Sequence, residues 1–282
     1  MHTWAWILVL PLFVLYGLMP IEPVVQMVLI AISIFLLVKI QTLITYRTSG
    51  NSVHKTNSFA WFFAWPGLNA EQFYTPRPYL PSPEFREWAL AFMKTVIGLT
   101  LFFVLGPQLV VWNEMVAGWV AMAGIVFIFH FGLFHIVALA WRQAGRDVSP
   151  IMNSPILSTS LAEFWNRRWN VAFRDFTYAQ IFRPLAKRYN ARIATWVGFV
   201  FSGFIHELAI SIPAHAGYGL PMSYFLLQGI GITTERQAYK YGWWKRESIC
   251  SWMFVVFFTV PAAYFLFHPP FIQRVILPLI RA

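Results

Sequence analysis

The sequence predicts an all-α, polytopic integral membrane protein of about seven spans (roughly six to nine), with a re-entrant segment and an interfacial amphipathic helix. Three observations predict it. Of 282 residues, 58% are hydrophobic and 11% charged, more apolar surface than a soluble domain of this length can hide, so the solvent is lipid. The apolar residues fall mostly in runs of about 17–25, the length that crosses about 30 Å of hydrocarbon. Lys and Arg collect in alternate links between those runs.

The first run, Trp4–Met19, has no basic segment ahead of it and no small-residue cleavage site behind it. Val24–Leu43 follows at once, so both read as retained spans. The patch Phe59–Trp65 ends at Pro66-Gly67 and is too brief to cross; it reads as a re-entrant or interfacial segment. Further spans are expected at Trp88–Val111, Val116–Trp141, Ile193–Ile212, Met222–Thr234 and Ile249–Phe267. Met222–Thr234 is short, so it is tilted, half-buried or extended into its flanks.

A cytosolic N-terminus puts loops 47–87, 142–192 and 236–246 in the cytosol. The first carries Arg47, Lys55, Arg77 and Arg86, and the second runs from Arg142 to Arg192. The third carries Arg236, Lys240, Lys245 and Arg246. The opposite links, around Glu22, around Glu114 and at Pro213–Pro221, carry none, and only Arg274 and Arg281 fall on the other side. This asymmetry sets the orientation. The same placement explains the net charge of +10 without nucleic acid as a partner.

In loop 142–192, Phe173, Phe176, Ala179, Phe182, Ala186 and Tyr189 recur at helical spacing opposite Arg174, Asp175, Arg183, Lys187 and Arg188. That is the pattern of an amphipathic helix in the interface, which Pro184 breaks or kinks. No linker or repeat divides the chain, so residues 1–282 read as one domain. The single Cys250 cannot form an internal disulfide, and no Cys/His cluster has zinc spacing, so no metal is expected.

Two polar features stand out against this apolar background. The segment Ser160-Leu-Ala-Glu-Phe-Trp-Asn-Arg-Arg-Trp-Asn170 is dense in charge and hydrogen-bonding groups. Farther on, His206 and Glu207 interrupt an apolar run long enough to span, where ionisable groups are costly and signal function. His206 can be a helix-packing hydrogen-bonder, but imidazole is also the side chain best suited to proton transfer near neutral pH. Gly198, Ser202 and His206 share one helical face, which can line a cavity or pack another helix.

Asn170 offers donors and acceptors without charge, suited to holding a carbonyl or hydroxyl, or to capping a loop. Glu163, Arg167 and Arg168 can pair with one another, while the arginines can face lipid phosphates or those of an acyl carrier. Trp165 and Trp169 read as interface anchors. Glu235 and Arg236 read as an interfacial pair. His130 and His135 read as packing or cavity residues, and His215 and His268 as solvated. No Gly-x-Ser-x-Gly elbow, phosphate-cradling Gly loop or His-Glu-x-x-His is present, which disfavours serine hydrolase, nucleotide-driven pump and zinc protease.

Ser158-Thr-Ser-Leu-Ala-Glu-Phe-Trp-Asn-Arg-Arg-Trp-Asn170, followed by Phe201-Ser-Gly-Phe-Ile-His-Glu207, resembles the membrane-bound O-acyltransferase superfamily. The likeness is to its wax synthase branch, whose members carry a Ser-Leu-x-(Asp/Glu)-Phe-Trp-x-Arg-Arg-Trp-Asn run and a Ser-Gly-x-x-His-Glu run. Trp65-Pro-Gly67 and Gly231–Glu235 also resemble parts of that branch, so the likeness extends over most of residues 60–270.

The resemblance implies that His206 is catalytic and that Asn170 is its partner. Glu207, Ser202, Glu163, Trp165, Arg167, Arg168, Trp169 and Glu235 are expected to support them or bind substrate. It implies acyl transfer from a thioester, acyl-CoA or another acyl carrier, to the hydroxyl of a lipophilic alcohol, giving an ester such as a wax ester. Acyl-CoA is then a co-substrate and no cofactor is expected. The expected surroundings are a lipid bilayer, a bacterial inner membrane or an endoplasmic reticulum membrane, with an apolar tunnel in which donor and acceptor meet. Acylation of a sterol or other small polycyclic alcohol is the alternative, and a non-enzymatic transporter or scaffold the second.

Overall fold

The computed structural model describes residues 17, 19–51, 55–75, 81–243 and 245–281. Its elements are helices: α1 (Pro23–Thr48), α2 (Lys55–Phe63), α3 (Ala70–Tyr74), α4 (Phe85–Leu109), α5 (Glu114–Gln143), α6 (161–168), α7 (171–188), α8 (Ala191–Ala214), α9 (Leu220–Lys240), α10 (Ile249–Leu266) and α11 (269–281). Among the described residues, five are long and apolar enough to cross a membrane: α1, α4, α5, α8 and α10. The chain is an all-α, multi-pass integral membrane protein. The expected span Trp4–Met19 lies almost wholly outside the described residues. Met222–Thr234 is the middle of the longer α9, whose polar end carries Glu235, Arg236 and Lys240.

Local sequence sets the helix ends. Pro23 opens α1, where its missing N–H costs nothing. Asn190 caps α8, its Oδ1 accepting from the Ile193 amide at 2.9 Å. At the start of α4, the Glu84 amide donates to Glu87 Oε2 at 3.0 Å. The α4–α5 crossing brings backbones together. A Cβ on Gly98 would lie 2.6 Å from the Ile128 amide, and one on Gly124 would lie 2.9 Å from the Phe102 amide. Only glycine permits that approach, and it is how helices pack where lipid supplies no hydrophobic drive.

The segment after α1 is pinned by a lysine inside an apolar helix. Lys39 is fully buried, and its Nζ donates to the Trp61 and Gly67 carbonyls, each at 2.7 Å. Nζ also stands 3.6 Å from the Trp61 ring centroid. α2 and the Pro66-Gly67 bend are thereby fixed against α1, with Trp61, Trp65 and Phe73 in one core cluster.

The first half of α7 packs against α8. Ala172 and Phe176 are buried, and Phe173 stacks on Phe201 of α8 at 6.1 Å, whereas Ala179 and Tyr189 are exposed. Its first half is therefore a packing element. Pro184 does not break the helix. A π-helical turn, Tyr178–Phe182, widens the chain just ahead, and Pro184 stands in the first turn of Arg183–Arg188.

Candidate active site

α8 delivers His206 where its regular helix ends and a π-helical turn, Glu207–Ser211, begins. Such turns swell the helix and recur at functional sites. The imidazole Nδ1 lies 2.7 Å from the Ser202 carbonyl. A carbonyl only accepts, so Nδ1 carries the proton, and in the neutral ring Nε2 keeps its lone pair. The ring lies 4.6 Å from that of Phe225 on α9. Ser202 thus orients the histidine through its backbone, because its own hydroxyl donates to the Gly198 carbonyl at 2.9 Å. A Cβ on Gly198 would meet nothing within 4 Å, so this face is not closed by tight helix packing there.

Glu207 makes no hydrogen bond to His206. Its Oε1 accepts from the Gly219 and Met222 amides, at 3.0 and 2.9 Å, and so caps the start of α9. Adjacent positions on a helix point about 100° apart, which is why the two side chains serve different neighbours.

Asn170 sits between α6 and α7 with φ of 41°, a left-handed conformation that asparagine tolerates better than most residues. Its Oδ1 accepts from the Phe173 amide at 3.2 Å, capping α7. The capping reading therefore holds, and the amide nitrogen is left over as a donor. Just ahead, Phe164–Arg168 forms another π-helical turn, so both candidate residues adjoin one.

The motif's tryptophans pack against aromatic rings of the interior. Trp165 contacts the rings of Phe199, Tyr224 and Phe225 at 6.0, 6.3 and 5.8 Å, and its indole N–H donates to Gln228 Oε1 at 3.2 Å. Trp169 stacks on Phe164 at 5.5 Å and meets Phe131 edge-on at 6.3 Å. Phe225 therefore touches both His206 and Trp165, tying the two motifs through one ring. Packing the half-buried Trp165 indole among rings is favourable because its N–H is satisfied.

Glu163 and Arg168 pair, with Nε and Nη2 each 2.7 Å from Oε1. Burial pushes the Glu163 carboxyl up, but bonds from the Thr159 amide and the Arg168 guanidinium outweigh it and hold the group below its ordinary value. Glu235 is buried and not interfacial: its carboxylate accepts from the Leu161 and Ala162 amides, at 2.8 and 3.4 Å. It fastens the start of α6 to α9. His268 is likewise buried, not solvated, with Nε2 3.5 Å from Ser211 Oγ and Nδ1 accepting from the Phe271 amide at 3.3 Å.

Arg167 lines a cleft of about 450 Å³ with Lys94, His135, Asn69, Arg174 and Asp175 among others. Arg174 is paired with Asp175 at 3.1 Å. Val171 and Met152 form part of the same wall, and Met152 Sδ accepts from the Asn170 amide at 3.3 Å, so the cleft adjoins the Asn170 turn. A second cleft, of about 210 Å³, lies between α8 and α9. Neither is lined by His206, so neither is the expected tunnel.

Residues 148–227, which include Asn170 and His206, match the Membrane bound O-acyl transferase family. Probable long-chain-alcohol O-fatty-acyltransferase 7 of Arabidopsis thaliana is 30% identical over 142 residues, 46% of this chain and 42% of that protein. The long-chain-alcohol O-fatty-acyltransferase of Simmondsia chinensis is 31% identical over 126 residues, 39% of this chain and 36% of that protein. Acyl-CoA–sterol O-acyltransferase 1 of Arabidopsis thaliana is 31% identical over 160 residues, 52% of this chain and 46% of that protein. These matches span less than half the length of those relatives. The resemblance to the wax synthase-like branch, read from the two motifs, is supported by both comparisons.

Proposed function

We propose that this chain transfers an acyl group from an acyl thioester, acyl-CoA or another acyl carrier, to the hydroxyl of a lipophilic alcohol, forming an ester such as a wax ester. The observation that carries this reading is the His206–Ser202 hydrogen bond, which leaves Nε2 as a base inside a membrane-crossing helix. Similarity to relatives named as alcohol acyltransferases gives the base its reaction.

In the proposed step, the alcohol oxygen attacks the thioester carbonyl carbon while His206 Nε2 takes its proton. The Asn170 amide nitrogen donates to the developing oxyanion. The carbon–sulfur bond then breaks, and the proton passes from His206 to the departing thiolate. Ser202 holds the base, and Trp165, Trp169, Glu163, Arg168, Glu235 and Glu207 hold the two motifs in place. Arg167, with Lys94, gives the 450 Å³ cleft the positive charge suited to the phosphates of a thioester carrier. The face at Gly198, Ser202 and His206 provides the apolar path.

The finer topology belongs to the same reading: about seven spans, α2 and its bend re-entrant, and the Lys/Arg-rich loops cytosolic. The plant relatives favour the endoplasmic reticulum over a bacterial membrane. A second reading, acylation of a sterol, is favoured by the similarity to a sterol O-acyltransferase.

Purified protein in lipid nanodiscs, given acyl-CoA with fatty alcohols and with sterols, tests both. Ester formation with fatty alcohols, lost in His206→Ala, supports the reading. Ester formed only on sterols replaces it with the second, and no thioester consumption with any acceptor overturns both.

A further inference from the structure

The 210 Å³ cleft takes no part in the chemistry above. It lies where the first turns of α8 meet the last turns of α9, and it shares no lining residue with the larger cleft. Arg192 and Trp196 come from α8, and Arg236 and Lys240 from α9. Hydroxyls of Thr195 and Thr233 and the Gln237 amide complete the wall, and no carboxylate lines it.

The cations are not held in ion pairs, although Lys240 Nζ stands 5.7 Å from the Tyr241 ring centroid and Arg236 feels the Glu235 carboxylate. Arg142, Arg168, Arg174 and Arg281 have ion-pair partners, whereas no Asp or Glu lies within 4 Å of Arg192, Arg236 or Lys240 among the described residues. The nearest acid in sequence, Glu235, is turned onto the Leu161 and Ala162 amides. The positive end of the α8 dipole adds to the field of the three side chains.

Along the same two helices, Ile193, Val197 and Ile230 are exposed, at 42%, 39% and 48%. Cationic groups at a helix end, a tryptophan beside them and lipid-facing aliphatics alongside match a phospholipid. The phosphate lies among the cations, and the acyl tails run over the aliphatics.

We propose that the α8–α9 cleft binds the phosphate headgroup of an anionic phospholipid. The site is independent of the acyl-transfer reading, because none of its residues has a role in that reaction.

Native mass spectrometry of the full chain in detergent, titrated with dioleoyl phosphatidic acid and with dioleoyl phosphatidylcholine, tests it. The expected result is retention of phosphatidic acid with roughly 100-fold preference, falling about fivefold for each cation removed in Arg192→Gln, Arg236→Gln and Lys240→Gln. Thermal melts identify any variant that has lost its fold, and Lys240→Arg, which keeps the charge, retains the preference. Equal retention of the two lipids, or an undiminished preference in the folded triple variant, overturns the proposal. Displacement of the lipid by free coenzyme A also overturns it and assigns the cleft to the acyl carrier.

Discussion

The His206 ring is held by the backbone of Ser202, not by its hydroxyl: Nδ1 meets the carbonyl at 2.7 Å, while Ser202 Oγ is turned to the Gly198 carbonyl. The orienting group therefore survives replacement of the serine side chain. Ser202→Ala is expected to keep turnover within about threefold of the parent, since one modest helix back-bond is all it loses. His206→Ala removes the base and is expected to lower turnover by roughly 10²–10⁴-fold in protein that a thermal melt shows to be folded. Steady-state ester formation checks both, and an equal loss in the two variants would place the serine hydroxyl in the chemistry.

Asn170 has two jobs that one substitution can separate. Its Oδ1 caps α7, and its φ of 41° favours asparagine, aspartate or glycine. Asn170→Asp keeps the cap acceptor, suits the helix N-terminus and tolerates the backbone, but it has no amide donor. The expected outcome is a near-parental melt with turnover lower by roughly 10²–10³-fold, the cost of one oxyanion donor. Retained turnover in Asn170→Asp would leave the residue as a cap alone.

Glu235 fastens the catalytic motif to α9 through the Leu161 amide, with Oε1 at 2.8 Å. Glu235→Ala leaves buried N–H groups unpaired, a cost of about 1–3 kcal/mol. The expected result is a lower melting temperature with lower kcat, and partial recovery of both in Glu235→Gln, whose carbonyl still accepts. Thermal melts and kcat measured on the same preparations check it.

Much of this site was legible because its residues are chemically out of place. His206 and Glu207 stand in an apolar run, and the Ser160–Asn170 segment is polar where its surroundings are not. The partners were not legible, because folding chooses them across long separations. Nothing local tells Glu235 to seek the amide of Leu161, Phe225 to bridge His206 and Trp165, or His268 to bury itself against Ser211. Lys39 did carry a readable signal, an ionisable residue inside a span, and its clamp on the Trp61 and Gly67 carbonyls fits the rule that such residues find partners. The span pattern hid it, because one lysine barely lowers the hydrophobicity of a long apolar run.

Glu163 ties stability to pH. A carboxyl held below its ordinary value stabilises the fold above its unfolded-state value, and the contribution is lost as pH falls through the folded one. Acidification into and below the usual carboxylate range is therefore expected to lower the melting temperature. Glu163→Gln, unable to form the charge pair with Arg168, is expected to melt lower near neutral pH and to respond less to acid. Tryptophan-fluorescence melts across that range check the difference in slope between the two proteins.

Gly198 tests the path to His206. A Cβ there would meet nothing within 4 Å, so a larger side chain enters open space and the fold is expected to tolerate it. Leucine also improves helix propensity by about 0.5–1 kcal/mol relative to glycine, so Gly198→Leu is expected to melt no lower than the parent. The position is two helical turns from His206 on the same face, and the added volume would stand where an apolar chain approaches the base. Long-chain substrates are then expected to lose activity while short-chain ones keep it. The same assay run with acyl-CoA and alcohol series of increasing chain length checks it. A uniform loss across both series, or no loss at all, would mean that the substrate chain does not run along this face.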